Sequence, residues 1–233
     1  MAYQLFENFR LYYVIFLNMT CSLAFLRSFD LESINVTLKF EQNVGECEVN
    51  CVVWDAALVL AKYLEILYEK QNTIFASKRV LELGAGLGCV GITAACFGGD
   101  VILTDLPQNL PLLQYSIVQN ELHIIKGSAK AEALEWGTKL QAEPFDILLM
   151  ADCIYYTDVI EDLVKTMVDS TTPETLILIS QEIRDTDKQK TSWEMFTNTL
   201  IKYFTISYIP EDEQHPIYRS SDILLINAKK KCL

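Results

Sequence analysis

The chain has 233 residues, 51% of them apolar and 21% charged, which excludes a disordered or collagen-like polypeptide. That length suits one large α/β domain able to bury a core without disulfide or metal staples. Nineteen basic against 31 acidic residues leave a formal charge of −12, which opposes general affinity for nucleic acid and suits a cationic or lysine-bearing partner.

Seven cysteines form no Cys-x-x-Cys pair, and only His123 and His215 accompany them, so no metal site is expected. The odd count, with several cysteines in apolar runs, points to small hydrophobic thiols in a reducing compartment, the cytoplasm. Residues 1–26 carry two charges, Glu7 and Arg10, around an apolar run from Leu11 to Leu17. That run is far short of the ~20 residues that span a bilayer, so no membrane association is expected. A signal peptide fits its length, but the positive lead is weak and no small-residue cleavage site follows. Residues 1–26 are therefore read as an apolar N-terminal extension, and residues 27–233 as the main domain.

Ile34 to Phe40 alternates apolar and polar residues, the period of a half-buried strand, and Gly45 to Asn50 reads as a loop. Trp54 to Glu69 carries apolar residues at helical spacing. Short apolar runs then alternate with helical segments. Strands are expected at Val80 to Leu83, Val101 to Thr104, Ala129 to Leu134, Phe145 to Met150 and Thr175 to Ser180. Helices are expected over Cys89 to Phe97, Pro107 to Asn120, Val159 to Val168 and Lys188 to Tyr203. Strands with little alternation are buried on both faces, which predicts a parallel sheet flanked by helices. Phe204 to Ile209 and Ile223 to Ala228 have no helix between them and are expected to pair antiparallel at one sheet edge. The predicted fold is α/β: a Rossmann-like, seven-stranded, mostly parallel sheet with helices on both faces and a C-terminal antiparallel strand pair.

The strongest motif is Glu82-Leu-Gly84-Ala85-Gly86-Leu-Gly88, directly after a buried strand and opening a helix. Glycines there let the chain turn sharply and let a ligand approach the helix N-terminus. Read from Gly86, the segment to Gly91 also fits the dinucleotide fingerprint, with Asp105 at the distance of its ribose carboxylate. Glu82 separates the two readings, since a carboxylate beside the loop repels a pyrophosphate and attracts an ammonium or sulfonium.

With Asp105 after the second of these strands, the loop resembles the donor site of class I S-adenosylmethionine-dependent methyltransferases. Cys51-Val-Val-Trp54, Leu134-Glu-Trp136-Gly137 and Ala151-Asp152-Cys-Ile-Tyr155-Tyr156 narrow the resemblance to the seven-strand protein-lysine methyltransferases with an Asp-x-x-Tyr motif. Within that family, Leu26 to Phe29, Trp54 to Glu65 and Tyr218 to Ser220 resemble the branch that modifies valosin-containing protein, a hexameric AAA ATPase. The resemblance implies S-adenosylmethionine as cofactor and a lysine of a protein as acceptor. It implies that Gly84, Ala85 and Gly86 line the methionine part of the donor, with Glu82 beneath. It implies Asp105 on the ribose, Trp136 against the adenine, Ala151 on the cofactor, and Trp54 and Tyr156 closing the pocket. Asp152 and Tyr155 are the implied catalytic pair at the substrate mouth. The implied partner is an ATPase of the valosin-containing protein type or another chaperone-like ATPase, met by a monomer.

Two departures stand out. Residues 1–25 have no counterpart in the family, and Gln181, in Ser180-Gln-Glu182-Ile-Arg184, replaces a family tyrosine. Base methylation is disfavoured because Asp152-Cys-Ile-Tyr155 lacks the paired prolines of enzymes acting on base amino groups. A regulatory module that binds donor without transfer, and a dinucleotide oxidoreductase, are the alternatives to an enzyme of this family.

Overall fold

The computed structural model describes residues 24–43, 51–138, 140 and 142–232. Residues 1–23 of the expected extension and the loop expected at Gly45 to Asn50 lie outside the described residues, whereas Ala24, Phe25 and Leu26 of that extension open the first strand. Ala24–Leu31 (β1) and Val36–Asn43 (β2) pair antiparallel as a hairpin, turned by a 3-10 helix at Glu32–Ile34 and a left-handed Asn35. Helices follow at Asp55–Lys70 (α1), Cys89–Cys96 (α2), Leu110–Asn120 (α3), Ile160–Ser170 (α4) and Asp187–Tyr203 (α5). The remaining strands are Arg79–Leu83 (β3), Asp100–Asp105 (β4), Ser128–Ala133 (β5), Ile147–Ala151 (β6), Leu176–Glu182 (β7), Phe204–Tyr208 (β8) and Ile223–Lys230 (β9).

These seven strands form one sheet in the order β5-β4-β3-β6-β7-β9-β8. Strands β3 to β7 are mutually parallel, and β9 runs antiparallel to both β7 and β8. The expected antiparallel pair is therefore present, with β9 inserted and β8 at the edge. Side-chain alternation feeds two cores. Val80, Ile147, Leu149 and Leu178 pack with α1, α2 and α3 on one face, while Leu81, Leu148, Met150 and Ile179 pack with α4 and α5 on the other. Because alternate residues of every central strand are apolar on both faces, the strands read as unbroken hydrophobic runs in sequence.

Polar links dock the hairpin on the helices, and those at Asn120 and Lys62 are the most buried. Asn120 accepts from the Lys39 amide at 2.8 Å and donates to its carbonyl at 2.9 Å, holding β2 to α3. Lys62 of α1 is fully buried and donates to the Asp30 carbonyl at 2.7 Å, to Glu65 at 2.8 Å and to Glu32. Burial, the largest influence, pulls its pKa down, but its hydrogen bonds to Glu32 and Glu65 and their charges outweigh that and leave it raised. The rings of Phe29 and Tyr218 flank its ammonium at 5.2 and 5.1 Å.

Candidate functional site

The carboxyl ends of β3, β4 and β6 open into one cavity of about 740 Å³, at the place where ligands bind open α/β sheets. Every residue expected from sequence to touch donor or substrate lines it: Trp54, Glu82, Gly84 to Gly86, Asp105, Trp136, Ala151, Asp152, Tyr155 and Tyr156. Asn109, Asp162 and Arg184 line it too.

Glu82 is the penultimate residue of β3 and faces the α1–α3 side, opposite Leu81 and Leu83. Its Oε2 accepts from the Gly91 amide in the first turn of α2 at 2.9 Å, so the carboxylate caps that helix from beneath the loop. A Cβ on Gly91 would sit 2.4 Å from the same oxygen, so only glycine lets the helix approach. Burial raises the Glu82 carboxyl to about 8; the Gly91 amide opposes this and the Asp105 charge adds to it. A cation bound in the cavity would favour the ionised form of that acid.

Gly84 has a φ of +63°, and a Cβ there would meet the Cys153 sulfur at 2.7 Å. The loop is thus pressed against the segment that follows β6. It is also tied to β4, because the Ala85 amide donates to the Thr104 carbonyl at 2.9 Å and the Gly86 amide to Asp105 Oδ2 at 2.8 Å. Asp105 Oδ1 accepts from the Leu106 amide at 2.8 Å and from Asn109 Nδ2 at 2.6 Å. Asn109, buried just before α3, fixes this carboxylate; in sequence it reads only as part of a helix opening. Trp136 stands in the turn after β5, which is anchored to α4: the Gly137 amide donates to Thr166 Oγ1 at 2.8 Å, and Lys165 donates to the Gly137 carbonyl at 2.6 Å.

Asp152 follows β6 with a φ of +54°, a left-handed conformation uncommon outside glycine that Asp tolerates better than most residues. Its amide holds that bend by donating to the Ser180 carbonyl of β7 at 2.8 Å. Its side chain is equally fixed. Oδ1 accepts from Gln181 Nε2 at 2.7 Å, and Oδ2 accepts from Arg184 Nη2 at 2.5 Å. Gln181 also accepts from the Ile154 amide at 3.1 Å, so the residue that departs from the family tyrosine is built into the Asp-x-x-Tyr turn. Tyr155 and Tyr156 follow with ring centroids 4.6 Å apart, and Trp54, 39% exposed, forms the opposite rim at the start of α1. Burial raises the Tyr155 phenol, so it stays neutral at physiological pH.

The cavity is acidic. Asp105, Glu135, Asp152 and Asp162 contribute carboxylates against the single guanidinium of Arg184, and Glu82 adds a buried acid that ionises only near pH 8 unless a cation lies beside it. That wall repels a pyrophosphate and favours a ligand with cationic ammonium and sulfonium centres, so the dinucleotide reading is not favoured. A glycine loop beneath one end, a ribose-type carboxylate beside it, and an aromatic turn across from it fit S-adenosylmethionine.

The comparisons with known proteins agree. The family described as lysine methyltransferase (Methyltransf_16) matches residues 32–199, and the chain belongs to it. A relative from Xenopus tropicalis, EEF1A lysine methyltransferase 3, is 33% identical over 190 residues, covering 80% of each chain. Protein N-lysine methyltransferase METTL21A from Mus musculus is 35% identical over 193 residues, 80% of this chain and 84% of the relative. Among solved structures, a TehB-like methyltransferase from Corynebacterium glutamicum shares the fold at TM-score 0.54 and 14% identity, over 77% of this chain and 89% of that one. So does the glycopeptide N-methyltransferase MtfA complexed with S-adenosyl-L-methionine, at TM-score 0.51 and 12% identity, over 72% of this chain and 87% of that one. The chain is a protein-lysine N-methyltransferase whose cofactor is S-adenosylmethionine. No helix among the described residues is long and apolar enough to cross a membrane.

Proposed function

We propose that the chain methylates a lysine of an AAA ATPase of the valosin-containing protein type, or of another chaperone-like ATPase. In this reading Glu82, Gly84, Ala85, Gly86 and Asp105 hold the donor's amino acid and ribose. Trp136 and Ala151 flank the rest of the donor, Trp54 and Tyr156 close over it, and Asp152 with Tyr155 receives the acceptor. The observation that carries it is the convergence of the Asp-x-x-Tyr turn, the glycine loop and Asp105 on one acidic cavity. The chain acts as a monomer in the cytoplasm, with residues 27–233 as its catalytic domain and residues 1–26 as an extension.

When bound, the donor supplies a methyl group on a sulfonium, and the rest is positioning. The acceptor amine has an ordinary pKa of about 10.4 and must lose its proton before it can attack. Passage between Trp54, Tyr155 and Tyr156 disfavours the charged amine, while the same faces tolerate the methylated cation.

The substrate assignment rests on resemblance. Of the segments that carry it, Phe29, Lys62 and Tyr218 pack around one buried ammonium and support the scaffold. A relative named as an EEF1A lysine methyltransferase makes EEF1A the second candidate. The test is incubation of a cell extract with radiolabelled donor, using wild type and Asp152→Ala. One dominant labelled protein, lost in the variant, is expected, and its mass fingerprint names the substrate. Label in nucleic acid, or none, would sink the reading.

A further inference from the structure

We infer that Arg184 is a positioning residue of the transfer reaction: it holds Asp152 in place and offsets its charge, so that the acceptor lysine enters without being trapped as an ammonium. The inference rests on the lysine-transfer activity of the family and on the acceptor end proposed above.

Arg184 lies just beyond β7, and its guanidinium reaches three partners at once. Nη2 is 2.5 Å from Asp152 Oδ2 and 2.5 Å from Glu182 Oε2, and Nη1 is 3.4 Å from Asp152 Oδ1. Its centre lies 5.3 Å from the Trp54 ring centroid. One cation therefore joins the β6 end, the β7 end and the start of α1 at the cavity mouth. Asp152 lines the cavity, and Glu182, which does not, sits on the same Arg184 nitrogen, so without the guanidinium an incoming lysine would feel the charge of both carboxylates. Such a pair binds the ammonium well and, for that reason, raises the pKa of the amine that must become neutral. Arg184 spreads over both carboxylates and leaves one net negative charge for the lysine to meet. Its planar fork also fixes the Asp152 side chain, which a point charge does poorly.

Other charged or titratable groups face this cluster. Lys188 of α5 sits over the Tyr156 ring at 4.3 Å. Asp55 of α1, next to Trp54 in the chain, is 3.8 Å from Arg27 of β1. Asp185 pairs with Lys190 at 2.5 Å, and Asp105 lies across the cavity. Tyr155 keeps its proton because burial raises its pKa. None of these bridges Asp152 and Glu182.

The test compares wild type, Arg184→Met, Arg184→Lys and Lys188→Met from about pH 6.5 to 9.5. The acceptor is the dominant protein that wild type labels in a cell extract, purified. For Arg184→Met the inference predicts a lower KM, a kcat near neutrality down about tenfold or more, and a pH–rate profile moved about one unit alkaline. Arg184→Lys should restore the profile position but only part of kcat, because charge returns without the fork. Donor affinity, measured with S-adenosylhomocysteine, should stay within about twofold in every variant, on the scale where tenfold is ~1.4 kcal/mol. A raised KM, an unshifted profile in Arg184→Met, or an equal shift in Lys188→Met overturns the inference. If Arg184→Met does not fold, Arg184→Lys decides by the same criteria: full activity, or a tenfold loss of donor affinity, overturns it. No label from wild type overturns the lysine-transfer reading beneath it.

Discussion

Burial lifts the Glu82 carboxyl to about 8, against the pull of the Gly91 amide and with the push of Asp105. The folded chain therefore holds a proton between about pH 4.5 and 8 that the unfolded chain has released, and native stability falls as pH rises through that window. Its contribution to the slope approaches ~1.4 kcal/mol per pH unit. Thermal unfolding of the donor-free protein should show this decline, and Glu82→Gln should flatten it; an unchanged slope in the variant contradicts the account. At Gly91 the constraint is steric. Gly91→Ala would bring a methyl to 2.4 Å from Glu82 Oε2 and 2.7 Å from the Leu103 side chain. Overpacking of that kind costs about 1–3 kcal/mol, and the displaced carboxylate should weaken donor binding as well. Denaturant melts together with donor titration check both effects. Such residues were legible in sequence because Glu82 and the glycines are local to one turn. Arg184 and Gln181 were visible only as an end-of-strand run, and Asn109 only as a helix opening. Their work depends on β6 lying beside β7, and on the chain after β4 turning back to Asp105, which no local pattern reports.

At the scale of elements, the hairpin is held by Lys62, an ion fully buried against Glu65 and Glu32. Removing one partner of a buried pair strands the other, here Glu65, so Lys62→Ala should cost about 3–5 kcal/mol. Below its lowered melting temperature the variant should still bind donor, because neither Lys62 nor its partners Glu32 and Glu65 line the cavity. Loss of donor affinity in a folded Lys62→Ala protein would mean that the hairpin shapes the site. The sheet strands and all five helices followed from apolar runs and helical spacing to within a few residues. Strand β1 did not. Its inward residues are only Phe29 and Leu31, while Phe25 and Leu26 are exposed, so the alternation is too short to register. The order of β9 and β8 was likewise unreadable, because both possible arrangements bury the same faces.

At the scale of the whole molecule, the −12 charge and the acidic cavity point the same way. An acidic enzyme meeting a lysine-bearing partner is steered by long-range attraction, which salt screens. Raising sodium chloride from about 50 to about 300 mM should raise KM for the protein acceptor several-fold and leave kcat nearly constant. Flat KM would show that recognition depends on surface shape. The central claim is a division of labour along one cavity, with donor held at the Asp105 end and acceptor received at the Asp152 end. The most direct measurement is calorimetric donor affinity alongside labelled-methyl transfer for Asp105→Ala and Asp152→Ala. The account predicts that Asp105→Ala loses donor affinity by tenfold or more, about 1.4 kcal/mol or above, and transfer with it. It predicts that Asp152→Ala binds donor nearly as wild type does and transfers nothing. Equal loss of donor affinity in both variants would contradict it.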